Sequence, residues 1–208
     1  MATLSLCMIV KDEEDFLKGC IESVKDIVDE IVIGVDSRSK DNTKKIADQL
    51  GNIVFDINWD EDFSKARNLT LQKATSNWIL VLDADELIDV DGKKEILKLI
   101  NNKENCLNNM IGFSLDQRTY QPKDGAIKTT DKSVLKEKFS GYNSSALVRL
   151  FKNHPKIRFN NKVHELVEKS IRDNKGTIVP TSIIIHHFSM LKGKENHKSK
   201  TGNYIDLI

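Results

Sequence analysis

The sequence has few cysteines and no long apolar run, and each absence removes a class of protein. Its three cysteines, Cys7, Cys20 and Cys106, are odd in number and far apart, so a disulfide framework is not expected and a reducing compartment fits best. The first apolar run ends after about seven residues and lacks a preceding basic segment, which is typical of a strand rather than a signal peptide. No stretch approaches the roughly 20 apolar residues of a membrane span. We therefore predict a cytoplasmic protein that meets a membrane only peripherally, if at all.

Excess charge and glycine-rich motifs are also missing. The 32 basic and 31 acidic residues nearly cancel, so no overall field would recruit nucleic acid. The ten glycines form neither the G-x-G-x-x-G of a Rossmann dehydrogenase nor a P-loop. A sugar nucleotidyltransferase stays open as an alternative, although it should carry a glycine-rich basic loop where residues 11–14 are mainly acidic.

Apolar runs alternate with amphipathic segments over the first 110 residues. The segments with helical spacing lie at 16–28, 43–50, 64–74 and 93–100. The predicted strands are Leu4–Val10, Ile31–Val35, Ile53–Ile57 and Trp78–Leu82. This alternation predicts an α/β fold, an α/β/α sandwich with a mostly parallel sheet.

The pattern changes after residue 110. Strand-like runs at 110–115, 146–151 and 177–187 lie between polar segments, so we expect a mixed C-terminal part in the same single domain, 1–208. The polar segment 118–142 is predicted to be a mobile loop at the mouth of a site. Residues 204–208 show a helical pattern without a stop signal, which suggests that the natural protein continues beyond residue 208.

Aspartates collect where the predicted strands end. Asp12, Asp36, Asp83 and Asp85 all follow such strands, and ligands of open α/β sheets bind at the carboxyl ends of the strands. Two carboxylates spaced as Asp83 and Asp85 are can face one Mn²⁺ or Mg²⁺ ion, which prefers oxygen ligands. The alternative is a solvated turn that caps the next helix.

Several blocks together resemble family 2 glycosyltransferases with the GT-A fold, over residues 4–204. The blocks that carry this resemblance are 6–14, 35–43, 63–68 and 78–86. Three later blocks are similar to the branch that holds the sublancin-type peptide S-glycosyltransferases and the lipopolysaccharide core glucosyltransferases. These blocks are 161–165, 185–188 and 198–203.

The resemblance implies a donor site in the first half, residues 1–110. The backbone at Ile9 and Val10 would line the nucleoside pocket, Asp36 would pair with the base, and Arg67 would lie near the base or its phosphates. Asp83 would face the ribose and the metal ion, and Asp85 would bind the metal. From the residues alone, Asp36 also fits a simple turn and Arg67 a helix-surface arginine.

In the second half, residues 111–208, the resemblance implies the catalytic and acceptor groups. Glu165 would be the general base, with His164 orienting it or the acceptor. His187 would complete the metal coordination, and Lys198 and Lys200 would close over the diphosphate. The residues alone equally allow an alternating strand around Glu165, a core histidine at 187, and a solvated basic face at the two lysines.

The expected activity is that of a metal-dependent, inverting glycosyltransferase. The resemblance implies UDP-glucose or UDP-N-acetylglucosamine as the donor, and a peptide side chain or a saccharide as the acceptor. Gly202 stands where this branch usually has arginine, and Asp12 replaces a commoner asparagine. A non-catalytic module that binds a nucleotide sugar or a partner remains an alternative, and a homodimer formed through residues beyond 208 is also left open.

Overall fold

Strands and helices alternate from the first apolar run onward in the computed structural model, which describes residues 1–122 and 139–189. Residues 4–81 contain four strands separated by three helices. These are β1 (Leu4–Val10), α1 (Leu17–Val24), β2 (Glu30–Asp36), α2 (Thr43–Leu50), β3 (Ile53–Ile57), α3 (Phe63–Lys73) and β4 (Trp78–Val81).

The described residues from 86 onward form four further strands and three further helices. These are β5 (Glu86–Ile88), α4 (Val90–Asn101), α5 (Lys103–Leu107), β6 (Ile111–Pro122), β7 (Phe139–Lys152), α6 (Glu168–Asp173) and β8 (Thr177–His187).

Within the described residues, the strands form one eight-stranded sheet with the order β3-β2-β1-β4-β7-β6-β8-β5. Strands β1 to β4 pair in parallel. In the second half β7 runs antiparallel to β4 and β6, and β6 pairs in parallel with β8. The predicted fold, a mostly parallel sheet with a mixed C-terminal part, is confirmed.

Hydrophobic layers cover both faces of the sheet. Trp78 and Leu80 pack in the layer that contains α1 and α4, whereas Ile79 and Val81 pack in the layer that contains Leu71 of α3. Alternate residues of a strand point to opposite faces, and both faces here are buried. This explains why β4 reads as a continuous apolar run instead of an alternating one.

The predicted loop 118–142 is wrong at both ends. Residues 118–122 belong to β6 and residues 139–142 to β7, while residues 123–138 lie outside the described part of the chain. Cross-strand contacts stabilise these polar residues as strands. Tyr120 pairs with Tyr142, and the Arg118 guanidinium lies 4.7 Å from the Tyr142 ring centroid. The helix predicted at 204–208 also lies outside the described residues.

Three shorter elements, β5, α5 and α6, were not predicted. Helix α3 is capped by Asp62, whose side chain accepts a hydrogen bond from the Lys65 N–H at 3.0 Å. In the parts of the chain that the structure covers, no helix is long and apolar enough to span a bilayer.

Candidate active site

A cleft of about 700 Å³ opens at the carboxyl ends of β1, β2 and β4. Parallel strands end at the same edge of a sheet, so residues that follow different strands meet there. Most of the predicted site residues line this cleft: Ile9, Val10, Asp36, Arg67, Asp83, Asp85, His164, Glu165 and His187. Lys198 and Lys200 lie outside the described residues and stay predictions.

The segment after β4 folds into a tight turn that we call the acidic turn, Asp83–Glu86. The Glu86 N–H donates to the Asp83 carbonyl at 3.0 Å, and the Asp83 N–H donates to Oε2 of Glu86 at 2.7 Å. The Phe188 N–H, just after β8, donates to the Asp85 carbonyl at 3.0 Å. These backbone contacts fix the turn between β4 and the end of β8.

Arg67 of α3 connects the acidic turn to Glu165. Its Nη2 lies 2.7 Å from Oδ1 of Asp83, and its Nε lies 2.7 Å from Oε1 of Glu165. Nη1 is buried and lacks a hydrogen-bond partner in the described part of the chain, and the guanidinium carbon lies 5.6 Å from the Phe159 ring centroid. Arg67 is only 6% exposed, so it is not a helix-surface arginine.

Asp83 also contacts a second arginine, Arg149 of β7, whose Nη2 lies 3.1 Å from Oδ2. Burial opposes ionisation of Asp83, but the charges of Arg67 and Arg149 outweigh it, and the pKa of this carboxyl lies well below its usual range. At Glu86 the balance is reversed, because complete burial raises the pKa despite the nearby Arg149. The pKa values of Asp83 and Glu86, which belong to the same turn, are thus shifted in opposite directions.

Asp85 and His187 contact each other in the cleft. Nε2 of His187 lies 3.3 Å from Oδ2 of Asp85, and Nδ1 lies 2.8 Å from the hydroxyl of Thr119 on the neighbouring strand β6. Burial opposes protonation of His187, but the hydrogen bond and charge of Asp85 raise its pKa above the ordinary value. His187 is therefore oriented through both ring nitrogens and is not a histidine satisfied by backbone in the core.

The predicted metal site can be compared with the positions of its three expected ligands, Asp83, Asp85 and His187. Carboxylate oxygen and imidazole nitrogen both suit Mn²⁺, and oxygen suits Mg²⁺. Asp85 and His187 already converge and fit one such ion, while Asp83 accepts from two arginines and keeps one lone pair on each oxygen. Across residues 1–122 and 139–189, no group of three or more histidine, cysteine, aspartate or glutamate side chains is close enough to hold a metal ion as it stands.

Glu165 lies in the connection between β7 and α6. The segment is not the strand that its alternation allowed, since it contains only an isolated bridge between Asn160 and Leu166. His164 is exposed and adopts a positive φ of 56°, a conformation that is uncommon for residues other than glycine. The side chain of Glu165 is only 13% exposed, so the turn at His164 directs it inward against Arg67.

Helix α3 holds this connection through backbone and side-chain contacts. The side chain of Asn68 accepts from the Phe159 N–H at 2.9 Å and donates to the Phe159 carbonyl at 3.0 Å. The Phe63 N–H donates to the Lys162 carbonyl at 3.0 Å. One helix therefore positions both Arg67 and the segment that carries Glu165.

The far end of the cleft is built around Asp36 at the end of β2. Its carboxylate pairs with Arg38, with Nη2 2.6 Å from Oδ2 and Nε 3.0 Å from Oδ1. The hydrogen bonds from Arg38 lower the pKa of Asp36. Trp59 lies beneath the guanidinium, 5.5 Å from its carbon to the ring centroid, and Phe63 packs edge-on against Trp59. This end of the cleft offers an acidic group, a basic group and flat apolar surfaces, which suits a planar heterocycle.

Comparison with known protein families identifies the chain. Residues 5–164 match the model of the family described as glycosyl transferase family 2. The chain belongs to glycosyl transferase family 2. The matched region runs from the second residue of β1 through β7, includes the acidic turn and His164, and ends one residue before Glu165.

Individual relatives are similar over nearly the whole chain. A TPR repeat-containing protein of Synechococcus elongatus is 36% identical over 194 residues, which cover 90% of this chain and 42% of that protein. The SPbeta prophage-derived glycosyltransferase SunS of Bacillus subtilis is 31% identical over 211 residues, covering 99% of this chain and 44% of SunS. The chain thus spans less than half the length of these curated relatives.

Solved structures support the same fold. The crystal structure of S. aureus TarS residues 1–349 in complex with UDP has a TM-score of 0.57 and 16% identity, and covers 89% of this chain and 60% of that one. The corresponding complex of TarS with UDP-GlcNAc has a TM-score of 0.58 at 16% identity, covering 90% and 58%. At this identity the likeness establishes the fold, which is the predicted GT-A sandwich.

Several residues at the site of this family 2 chain were not predicted from the sequence. Arg149 and Glu86 contact Asp83 from behind the cleft, and Asn68 holds the Glu165 segment. An arginine inside the apolar run 147–151 was a detectable signal, because a buried charge requires a partner. Nothing in the sequence linked Arg38 to Trp59.

Proposed function

We propose that the chain is the catalytic domain of an inverting glycosyltransferase that moves a hexose from a UDP-sugar to a peptide side chain or a saccharide. The observation that carries this proposal is the single cleft lined by Asp83, Asp85, His187 and Glu165, with Arg67 joining Asp83 to Glu165. A metal-binding group, a nucleotide-binding group and a base are the three parts that such a transfer requires.

The acidic turn and His187 would hold Mn²⁺ or Mg²⁺, whose positive charge would stabilise the departing diphosphate. Asp85 and His187 would supply direct ligands, and Asp83 would accept from the ribose or contact the metal. Oε1 of Glu165 accepts from Arg67, which leaves Oε2 to take the proton of the acceptor group. The turn at His164 would then orient the acceptor beside Glu165.

The donor assignment follows from the Asp36 end of the cleft. A carboxylate can accept a hydrogen bond from the imino N–H of uracil, and the flat surface of Trp59 can support the ring. The TarS structures with UDP and UDP-GlcNAc support a uridine nucleotide. Glucose and N-acetylglucosamine both remain candidate sugars, and the acceptor is a peptide side chain or a saccharide.

UDP release from UDP-sugars tests the proposal. In the presence of Mn²⁺ the chain should release UDP, and Asp85→Ala should lower the rate about 100-fold or more, because the metal contact acts on the leaving group. Asp91→Ala is the matched control, since this aspartate of α4 lies at the surface in an exposed pair with Lys94. Equal release by Asp85→Ala and the unchanged chain would overturn the enzymatic assignment in favour of a binding module.

Candidate acceptors can be compared in the same reaction. Peptides that contain cysteine, serine or threonine, and saccharide acceptors, would be incubated with UDP-glucose and UDP-N-acetylglucosamine. Mass spectrometry would report a hexose or N-acetylhexosamine adduct on one class of acceptor. UDP release without an adduct on either class would contradict both acceptor assignments.

A further inference from the structure

Arg149 is a buried arginine in the apolar C-terminal part of β7. It lies on β7 between Val148 and Leu150 and is only 7% exposed. Its Nη2 lies 3.1 Å from Oδ2 of Asp83 and 3.4 Å from Oε1 of Glu86. In the part of the chain that the structure describes, neither Arg149 nor Glu86 lines the cleft. Both therefore contact Asp83 from the side that a ligand in the cleft would not occupy.

A β-bulge places Arg149 at this point. Phe113 of β6 pairs with Leu150 of β7, but the next residue, Ser114, pairs with Val148, so Arg149 is the extra residue. Leu150 packs in one hydrophobic layer and Val148 in the other, although residues two apart in a regular strand face the same side. A bulge of this kind redirects one side chain and is common beside functional sites.

Glu86 connects Arg149 to the backbone of the acidic turn. It is fully buried, and its Oε2 accepts from the Asp83 N–H at 2.7 Å. Its Oε1 accepts from the side chain of Gln117 on β6 as well as from Arg149. Asp83 is thus fixed at its side chain by Arg149 and at its N–H by Glu86.

Fold stability alone is a weak reason for such an arrangement. Desolvation of a buried ion pair often exceeds the attraction that it gains, and well-packed apolar residues of similar volume are frequently as stable. The neighbours of Arg149 on β7 are apolar and fully packed. The arrangement does orient Asp83, whose side chain remains 31% exposed and lines the cleft. The two arginines that contact this side chain, Arg67 and Arg149, are each less than 10% exposed.

We propose that Arg149 is a positioning residue which, together with Glu86, fixes the carboxylate of Asp83 toward a nucleotide sugar in the cleft. The inference rests on the proposed function, because it assigns Asp83 to the donor site. Arg149 itself would not contact the donor. Its removal should weaken donor binding by releasing Asp83, while Glu165 and its contact with Arg67 stay in place.

The test is calorimetric titration of UDP in the presence of Mn²⁺, with thermal melting of the same variants. The double variant Arg149→Met with Glu86→Gln removes both charges together, so that no unpaired buried charge destabilises the fold. We expect its UDP affinity to fall about tenfold, as the loss of one charged hydrogen bond predicts. Arg149→Lys should be intermediate, because the lysine ammonium keeps the positive charge but is a compact point charge on a flexible stem and does not reproduce the position of the planar guanidinium between Asp83 and Glu86.

Lys152→Met is the matched control. Lys152 is a buried cation on the same strand, but its Nζ lies over the Trp78 ring at 4.4 Å, at the opposite end of β4 from the acidic turn. It should change the melting temperature without changing UDP affinity. Steady-state kinetics should place the effect of the double variant mainly on KM for the UDP-sugar and much less on kcat.

The outcomes separate the two proposals. If the unchanged chain binds UDP and the folded double variant binds it equally well, the positioning role of Arg149 is overturned and the proposed function stands. If affinity falls by the same factor in Lys152→Met, the effect is a general loss of packing and the positioning role is again overturned. If the unchanged chain neither binds UDP nor releases it from UDP-sugars, the proposed function fails first.

Discussion

Arg67 and Glu165, 98 positions apart in the sequence, form an ion pair in which Nε of the arginine lies 2.7 Å from Oε1 of the glutamate. The same guanidinium holds Asp83 at 2.7 Å. The predicted base and the acidic turn are therefore parts of one hydrogen-bonded network. Replacement of Arg67 itself should disturb both carboxylates together, because charged groups that share a partner do not act independently.

Replacing Glu165 by glutamine should separate binding from chemistry. Glutamine retains an oxygen that accepts from Arg67 but cannot take a proton, so transfer to an acceptor should fall about 10²- to 10⁴-fold. UDP affinity should stay within about twofold, since the contact with Arg67 is kept. Transfer rates and calorimetric titration of UDP measure the two effects. Glu104→Gln, at an exposed position of α5, is the control. An unchanged transfer rate in Glu165→Gln would exclude Glu165 as the base.

Asn68→Ala should reduce the rate through the segment that carries Glu165. The variant loses two reciprocal hydrogen bonds to the Phe159 backbone, which corresponds to about 1–3 kcal/mol of unfolding free energy. We expect kcat to fall while UDP affinity is retained, because the loosened segment bears the base and not the nucleotide contacts. Denaturant unfolding and steady-state kinetics provide the measurements.

The control for this variant is Asn174→Ala, which removes a comparable hydrogen bond from Asn174 to the Ser170 carbonyl in α6. It should lower stability without lowering kcat. A variant of Asn68 that is destabilised yet keeps the full kcat would show that the Phe159 contacts serve folding only.

The pKa of Glu30, which lies far from the cleft at the start of β2, predicts that the free energy of unfolding depends on pH. Burial opposes its ionisation, but hydrogen bonds from Ser5 and from the N–H and hydroxyl of Thr75 outweigh this and lower its pKa below the ordinary value of 4.5. The stabilisation is therefore complete above pH 4.5 and is lost as the pH falls through the lowered pKa, because the unfolded state then binds more protons.

Glu30→Gln should consequently lower the free energy of unfolding by about 1 kcal/mol at pH 7. The difference from the unchanged chain should shrink progressively below pH 4.5. Urea unfolding at several pH values measures it, with Glu95→Gln as a control at a surface pair with Lys98. A difference that stays constant from pH 7 to pH 3 would contradict the assignment of the stabilisation to the ionised carboxylate.

Local sequence patterns accounted for β1 to β4 and for three carboxylates that line the cleft, those of Asp36, Asp83 and Asp85, whereas Asp12, which also follows a strand, is not among the lining residues. The apolar run of β4 predicted a strand buried on both faces, and the position of Asp83 and Asp85 after it placed them at the edge where strands end. Patterns failed where contacts between distant strands decide the outcome. The polar residues 118–122 look like a loop, yet they extend β6 because they pair with β7.

The sequence by itself determined the alternation of strands and helices, the carboxylates at the strand ends and the family to which the chain belongs, since all three depend on spacings along the chain. Only the tertiary structure decided that Arg149 enters the site, because a one-residue bulge between β6 and β7 redirects it. It likewise decided that Arg67 pairs with Glu165 as well as Asp83. Such partners are set by strand register and by the packing of α3 against a distant loop, and no periodicity within a single segment encodes them.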